Sequence, residues 1–137
     1  MFEYRCKIVK VVDGDTVDCD IDLGFGVTLT NERVRLIGVD APESRTRDLV
    51  EKRFGLAAKE RVKKFFDEST DVTLCSKEFK GKFGRILGDF KINDVMLTEM
   101  LLEEHYVAPY NGGSKSETLS CHLANRKILI ESGVVVL

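Results

Sequence analysis

The chain has 137 residues, with 21 Lys and Arg against 23 Asp and Glu and a formal net charge of -2. This length predicts one domain, residues 1–137, that is large enough to bury its own core, and the 43% hydrophobic content excludes a disordered chain. The near-neutral charge excludes binding to nucleic acid through a broadly basic surface, so any site for a polyanion must come from local clusters of basic residues.

The sequence contains neither a predicted membrane span nor a recognisable targeting segment. Its apolar runs are short and interrupted, whereas a bilayer span needs about 20 apolar residues. The first ten residues alternate charged and apolar side chains and lack the apolar core of a signal peptide. We therefore expect a cytoplasmic protein with no membrane partner.

The four cysteines are far apart and form no CxxC pair, which favours reduced thiols over disulfides or a zinc site.

Strand character dominates the first 39 residues and returns after the middle of the chain. The alternation of apolar and polar side chains is clearest from Thr16 to Leu23. In the strand before it, the apolar phase slips at Ile8-Val9, which indicates a β-bulge. The predicted strands cover residues 4–12, 16–23, 27–39, 71–76 and about 84–91.

Apolar residues at spacings of three and four predict helices elsewhere. The first helix covers roughly residues 48–66, and the second covers 95–105 with Asp94 as its N-cap. The third begins at a capping box, Ser114-Lys-Ser-Glu117, and ends before Gly133. The resulting order, β-β-β-α-β-β-α-α, predicts an α+β fold in which helices pack on a small closed barrel.

An acidic run in the second strand imitates the start of a calcium-binding loop. Asp18, Asp20 and Asp22 have the spacing of an EF-hand, but Leu23 replaces its turn glycine and Leu29 its bidentate Glu. Strand alternation explains the same spacing without a metal ion. We therefore expect these three carboxylates to form a solvated strand face.

Three short motifs carry the functional signal. Asp13-Gly14-Asp15-Thr16 places a carboxylate at the turn between two strands. The segment 33–43 combines arginines in a strand with two carboxylates that flank Pro42, whose fixed φ stiffens the chain. The segment 80–85 is a basic turn with two glycines that leads into a strand. Each motif alone is compatible with ordinary turn or surface chemistry.

Together, and in this order, the motifs DGDT, RxxxxDxPE and KxGR resemble those of the staphylococcal nuclease-like (thermonuclease) family. The resemblance extends from about Val11 to Gly133. It implies an α+β fold built on a five-stranded OB-type β-barrel with about three packed helices, which agrees with the predicted order of elements.

The resemblance also implies a Ca²⁺ site. Its ligands would be the carboxylates of Asp15 and Asp40 and the backbone carbonyl of Ala41. Ca²⁺ is a hard cation that prefers such oxygen ligands, and it can polarise a phosphoryl oxygen. A carbonyl ligand tolerates Ala41 where the best-known relative has Thr.

Three further residues would act on the phosphate or on the attacking water. Arg35 and Arg85 match the two catalytic arginines of the family, whose planar guanidinium groups can hold the negative charge that develops during phosphodiester hydrolysis. Glu43 matches the glutamate of the family's DxPE motif and is the candidate general base. From the sequence, this residue could either accept a proton from water or only orient the water.

The remaining candidates concern substrate binding. Lys82 matches a residue that contacts phosphate in relatives. Tyr110 follows the second helix and could stack on a base, or it could be a partly buried turn residue. We expect structural or surface roles for His105 and His122, because the sequence suggests no catalytic or metal-binding partner for either.

The resemblance thus implies a Ca²⁺-dependent endonuclease acting on DNA, RNA or both, with 3′-phosphate and 5′-hydroxyl products. We expect a monomer that prefers single-stranded regions. The alternative is a non-catalytic OB-type module that binds single-stranded nucleic acid or a protein. A third possibility, a calcium-binding structural barrel, leaves the two arginines unexplained.

Overall fold

A computed structural model describes residues 2–67, 71–78, 84–110, 112 and 114–137, and it describes the side chains of all of these except 77 and 78. The strands in this part of the chain are β1 (Phe2–Asp13), β2 (Thr16–Gly24), β3 (Val27–Leu36), β4 (Val39–Asp40), β5 (Val72–Glu78), β6 (Ile86–Ile92), β7 (Val95–Met96) and β8 (Ala108–Pro109). The helices are α1 (Leu49–Asp67), α2 (Leu97–Glu103) and α3 (Lys115–Glu131).

Five strands close into a barrel. β1 pairs antiparallel with β2 and β5, β2 pairs with β3, and β5 pairs with β6. The barrel closes where β3 and β6 run parallel, with Arg35 opposite Leu87. Two short strands, β4 and β8, form a separate ladder. The architecture confirms the predicted α+β fold, a five-stranded OB-type barrel with three packed helices over the described residues.

The barrel interior is filled by the apolar face of the strands. Val17 and Cys19 are fully buried, as the alternation in β2 predicts. Helix α1 covers one side of the barrel, where Phe66 meets Phe90 edge to face at 5.2 Å between ring centroids. Burial of each such large apolar side chain stabilises the fold by about 1.5–3 kcal/mol. No helix in the described ranges is long and apolar enough to cross a bilayer.

The β-bulge predicted in the first strand is confirmed, whereas the extended stretch 27–39 is interrupted. The β1–β2 register shifts between Ile8 and Lys10. β3 ends at Leu36, and a turn with Gly38 at φ +72° leads into β4. Glycine adopts this left-handed conformation at little cost. The interruption lets the chain leave the barrel just before Asp40.

The second helix is shorter than predicted, and Asp94 is not its cap. Asn93 and Asp94 both have positive φ and form the turn between β6 and β7, so the helix begins only at Leu97. The amide of Thr98 instead donates to the buried carboxylate of Asp89 in β6, at 3.2 Å. Burial raises the pKa of Asp89 above its ordinary value. A carboxylate on β6 therefore performs the capping that the sequence assigns to Asp94 in the turn.

The expectation of a solvated acidic face on β2 is wrong for Asp18. This residue is buried, and its carboxylate accepts two hydrogen bonds from Arg33 on β3, at 2.9 and 3.1 Å. The pairing arises because Asp18 and Arg33 lie opposite each other in the β2–β3 ladder.

The third helix agrees with its prediction, since the Ser114 side chain accepts a hydrogen bond from the Glu117 amide.

Candidate functional site

Asp15 lies in the tight turn between β1 and β2, where close packing fixes the backbone. A Cβ atom at the neighbouring Gly14 would lie 2.7 Å from the Cβ of Ala58 in α1 and 3.0 Å from that of Ala41. Only glycine therefore allows this approach of the turn to the helix. The Asp15 carboxylate accepts hydrogen bonds from the Ala41 amide at 2.9 Å and from the Thr16 hydroxyl at 3.0 Å. The turn and the segment after β4 are thus joined through Asp15.

Arg35 near the end of β3 connects the two predicted metal-binding carboxylates. One guanidinium nitrogen donates to the carbonyl oxygens of Leu36 and Val39, both at 2.9 Å. Its other terminal nitrogen lies 3.4 Å from an oxygen of Asp15 and 3.6 Å from an oxygen of Asp40. The planar fork of arginine allows these contacts at once. Two carboxylates and one arginine therefore converge at one end of the barrel.

Asp40 is held through both its backbone and its side chain. Its backbone pairs with Ala108 in the β4–β8 ladder. One carboxylate oxygen, Oδ1, faces Arg35, and the other, Oδ2, lies 2.8 Å from Nε2 of His122 in α3. Both oxygens thus have a partner with a defined direction.

Glu43 follows Pro42 on the segment between β4 and α1, with an exposed side chain. Its amide donates to the carboxylate of Glu51 at 3.2 Å. Partial desolvation raises the pKa of Glu43 above its ordinary value, and the negative charges of Asp13 and Asp15 raise it further. A carboxylate with a raised pKa is a better proton acceptor than an ordinary glutamate, which suits a general base.

The structure gives fewer contacts for the remaining predicted site residues. Arg85 is half-buried and directly precedes β6, two residues before Leu87, the partner of Arg35 in the parallel ladder. Two residues of a strand span roughly 6–7 Å, so the backbones of the two arginines are close. Tyr110 is 44% exposed, and its amide donates to the Gly38 carbonyl at 2.9 Å. Lys82 lies outside the described residues.

The donors at this end of the barrel fit a hard cation. Carboxylate oxygens of Asp15 and Asp40 face the same nitrogen of Arg35, and Ala41 adjoins both residues. Carboxylate and carbonyl oxygens are the ligands that Ca²⁺ prefers. Over the ranges that the structure describes, no group of three or more His, Cys, Asp or Glu residues could hold a metal ion. The predicted ligand set contains only two such side chains, Asp15 and Asp40, because its third ligand is the backbone carbonyl of Ala41.

Comparison with known proteins identifies the family of the chain. The family model described as "Staphylococcal nuclease homologue" matches residues 33–125, which include Arg35, Asp40, Glu43 and Arg85. The chain belongs to the staphylococcal nuclease family. It is 34% identical to the "Thermonuclease" of Staphylococcus intermedius over 97 residues, which is 71% of this chain and 54% of that protein.

A second relative gives the same relationship. The chain is 28% identical to the "Thermonuclease" of Staphylococcus hyicus over 102 residues, or 74% of this chain and 57% of that protein. The chain thus spans about half the length of the curated relatives that it matches. Asp15 precedes the segment matched by the staphylococcal nuclease family model, so its place in the site rests on its contacts with Ala41 and Arg35.

The sequence does not predict two features of this family member's site. His122 is expected to be a structural or surface residue, yet it contacts the Asp40 carboxylate. Gly55 lies inside α1, where a Cβ atom would be 2.3 Å from the carbonyl oxygen of Glu43. A glycine in a helix interior costs about 1 kcal/mol, and this signal could have indicated a close backbone contact. No comparable signal marks His122 in the sequence, because its partner is 82 positions away.

Proposed function

We propose that the protein is a Ca²⁺-dependent nuclease that hydrolyses phosphodiester bonds in DNA, RNA or both. The observation that carries this proposal is the convergence of Asp15, Asp40 and Arg35 at one end of the barrel. A module that only binds nucleic acid needs cations facing the phosphates, but it has no need for paired carboxylates beside them. Membership in the staphylococcal nuclease family and similarity to two thermonucleases support the same conclusion.

The arginines would stabilise the charge that develops on the phosphate. In-line attack by water adds negative charge to the equatorial oxygens, and fixed cations near them lower the barrier more than they tighten ground-state binding. Arg35 is fixed by two backbone carbonyls and two carboxylates. Arg85 directly precedes the neighbouring strand, where it would contact the same phosphate or the leaving oxygen.

Glu43 would accept the proton of the attacking water. The water oxygen forms a bond to phosphorus, the bond from phosphorus to the 5′ oxygen breaks, and the leaving 5′ oxygen takes up a proton. The products are a 3′-phosphate and a 5′-hydroxyl. The raised pKa of Glu43 and its position on a segment fixed by Pro42 support this role.

Asp15, Asp40 and the carbonyl of Ala41 would hold Ca²⁺, which would supply positive charge beside the phosphoryl oxygen. Tyr110 is sufficiently exposed to stack on a base of an unpaired strand. Lys82 would contact a phosphate. We further propose that residues 1–137 form a single domain that acts as a monomer.

A cleavage assay tests this function. Labelled single- and double-stranded DNA and RNA are incubated with Ca²⁺ or EDTA, and the product ends are identified. We expect Ca²⁺-dependent cleavage of single strands by the parent, and at least about 100-fold less by Arg35→Ala and Glu43→Ala. Arg33→Lys is the control on the same strand, because Arg33 contacts Asp18 instead and lysine keeps a positive charge beside that buried carboxylate.

The result that would contradict the proposal is equal activity of the parent, Arg35→Ala and Glu43→Ala. Binding of single strands without Ca²⁺-stimulated cleavage would instead favour the alternative function, a non-catalytic OB-type binding module. Melting temperatures of all variants, measured in the same buffer, separate loss of chemistry from loss of folding.

A further inference from the structure

We propose that His122 in α3 is a positioning residue that orients the carboxylate of Asp40 for binding the cation. The inference rests on the proposed function and extends it to a helix that carries none of the family's motif residues. Nε2 of His122 lies 2.8 Å from Oδ2 of Asp40. Because a carboxylate only accepts hydrogen bonds, Nε2 is the donor.

The direction of this hydrogen bond determines which carboxylate oxygen faces the site. With Oδ2 held by His122, Oδ1 points toward the Arg35 nitrogen that also contacts Asp15. Rotation of the Asp40 side chain would break the contact with His122. The hydrogen bond therefore favours the rotamer in which the carboxylates of Asp15 and Asp40 face each other across Arg35.

The imidazole can perform this role because it is itself fixed. Its side chain is only 12% exposed, against 35% for Asp40. Three positions later on the same face of α3, the side-chain amide of Asn125 donates to the carbonyl of Val107 at 3.0 Å. Val107 directly precedes β8, the strand whose Ala108 pairs with Asp40. One helix face thus holds both the side chain of Asp40 and the strand beside its backbone.

A second anchor comes from α1. The guanidinium of Arg126 lies over the ring of Phe54, at 5.4 Å from its centroid. It also lies 4.0 Å from the carboxylate of Glu51, which accepts the amide hydrogen of Glu43. These contacts fix the register of α3 against α1 and so the position of His122. Ligand carboxylates are commonly oriented by such outer partners, and loss of a partner lowers metal affinity by about 10–100-fold.

The test measures Ca²⁺ binding directly, without substrate. The metal-free protein is titrated with CaCl₂ in a calorimeter, using the parent, His122→Phe, His122→Gln and Lys127→Ala. His122→Phe keeps an aromatic ring but removes the donor, whereas the side-chain amide introduced by His122→Gln can still donate to Asp40. Lys127 is exposed on the same helix and serves as the control. Melting temperatures without Ca²⁺ report on folding.

We expect the Ca²⁺ Kd of His122→Phe to rise about 10–100-fold, with a much smaller rise for His122→Gln and none for Lys127→Ala. An unchanged Kd for His122→Phe would overturn the inference, as would equal losses of affinity in the Phe and Gln variants. Ca²⁺ binding and cleavage by the parent protein distinguish failure of the inference from failure of the proposed function. If the parent neither binds Ca²⁺ nor cleaves nucleic acid, the proposed function is wrong and the inference falls with it.

Discussion

The candidate site has two sides that are built in different ways. The barrel side consists of Asp15 in the β1–β2 turn and Arg35 on β3, and it is held by strand pairing and short turns. The helix side consists of Gly55 in α1 and His122 in α3, which contact the segment from Asp40 to Glu43. The barrel side supplies charged groups at fixed positions, whereas the helix side sets the position of the segment between them.

This difference predicts different consequences of mutation. A change on the barrel side removes a group that would act on the phosphate or the cation, so its effect should appear in the rate of cleavage or in Ca²⁺ binding. A change on the helix side displaces groups that remain present, so folding stability or metal affinity should change with it. Four experiments test the two sides, from the largest expected effect to the smallest.

The largest effect is expected for Arg35→Lys on the barrel side. Lysine retains the positive charge but loses the planar fork that contacts two carbonyls and two carboxylates. We expect kcat to fall about 10²–10³-fold, as for loss of one donor to a transition-state oxyanion. This kcat is measured from steady-state cleavage of a single-stranded oligonucleotide. The matched change Arg33→Lys should keep kcat within a few-fold of the parent, and a similar loss in both would contradict the role of Arg35.

The next largest effect is expected on folding stability, when the cation is removed. At free Ca²⁺ about 100 times the Kd, binding to the folded state adds roughly 2.7 kcal/mol of stability. We expect Ca²⁺ to raise the melting temperature of the parent but not that of Asp15→Asn, which lacks one carboxylate ligand. Asp22→Asn removes the same charge from an exposed position on β2 and should respond to Ca²⁺ like the parent. A full response by Asp15→Asn would exclude Asp15 as a ligand.

Gly55→Ala tests the helix side through its backbone contact. Alanine is favoured over glycine by about 1 kcal/mol inside a helix, but its Cβ would lie 2.3 Å from the Glu43 carbonyl oxygen. Overpacking of this kind costs about 1–3 kcal/mol. We therefore expect a net decrease in the free energy of unfolding, measured in urea, and a lower kcat because Glu43 moves.

The control for Gly55→Ala is the adjacent, exposed Leu56, changed to Ala. This substitution should leave kcat unchanged. If Gly55→Ala instead stabilises the protein, as an ordinary helix glycine would predict, the close contact between α1 and Glu43 does not constrain the site.

The smallest effect is expected at Tyr110, whose amide donates to the carbonyl of Gly38 in the turn between β3 and β4. Base stacking on an aromatic side chain contributes about 1–3 kcal/mol, so Tyr110→Ala should raise KM for single-stranded substrate by roughly tenfold. Tyr110→Phe keeps the ring and should retain the KM of the parent. If both variants have the KM of the parent, Tyr110 is a turn residue, the alternative that the sequence leaves open.

The salt dependence of KM tests how charge is distributed over the whole molecule. The net charge of -2 predicts that substrate capture relies on a few local cations rather than on a broadly basic surface. Added salt weakens the attraction between these cations and the phosphates of the substrate. We expect a higher KM at high NaCl concentration than that of a basic relative, and equal KM values for the two proteins across a salt series would contradict this.

The sequence determined most of the local structure on the barrel side, apart from the break in the stretch 27–39 and the burial of Asp18. Alternation in β2, the bulge in β1 and the motifs around Asp15 and Arg35 depend on neighbours within a few residues or across one turn, and such local patterns can be read from a sequence. The motif 33–43 likewise indicated that Asp40 and Glu43 flank a rigid Pro. The capping box of α3 was also local, and its start agrees with the structure.

Only the tertiary structure decided which distant groups meet. The contacts that the sequence does not predict join groups on different elements: Asp89 caps α2, Arg33 neutralises the buried Asp18, and His122 contacts Asp40, which is 82 positions away. These pairs form because strand register and helix packing bring the elements together, and the energy of the contacts depends on the whole packing arrangement. The sequence thus predicted the chemical groups of the candidate site, and the packing of α1 and α3 determined how the segment from Asp40 to Glu43 is held.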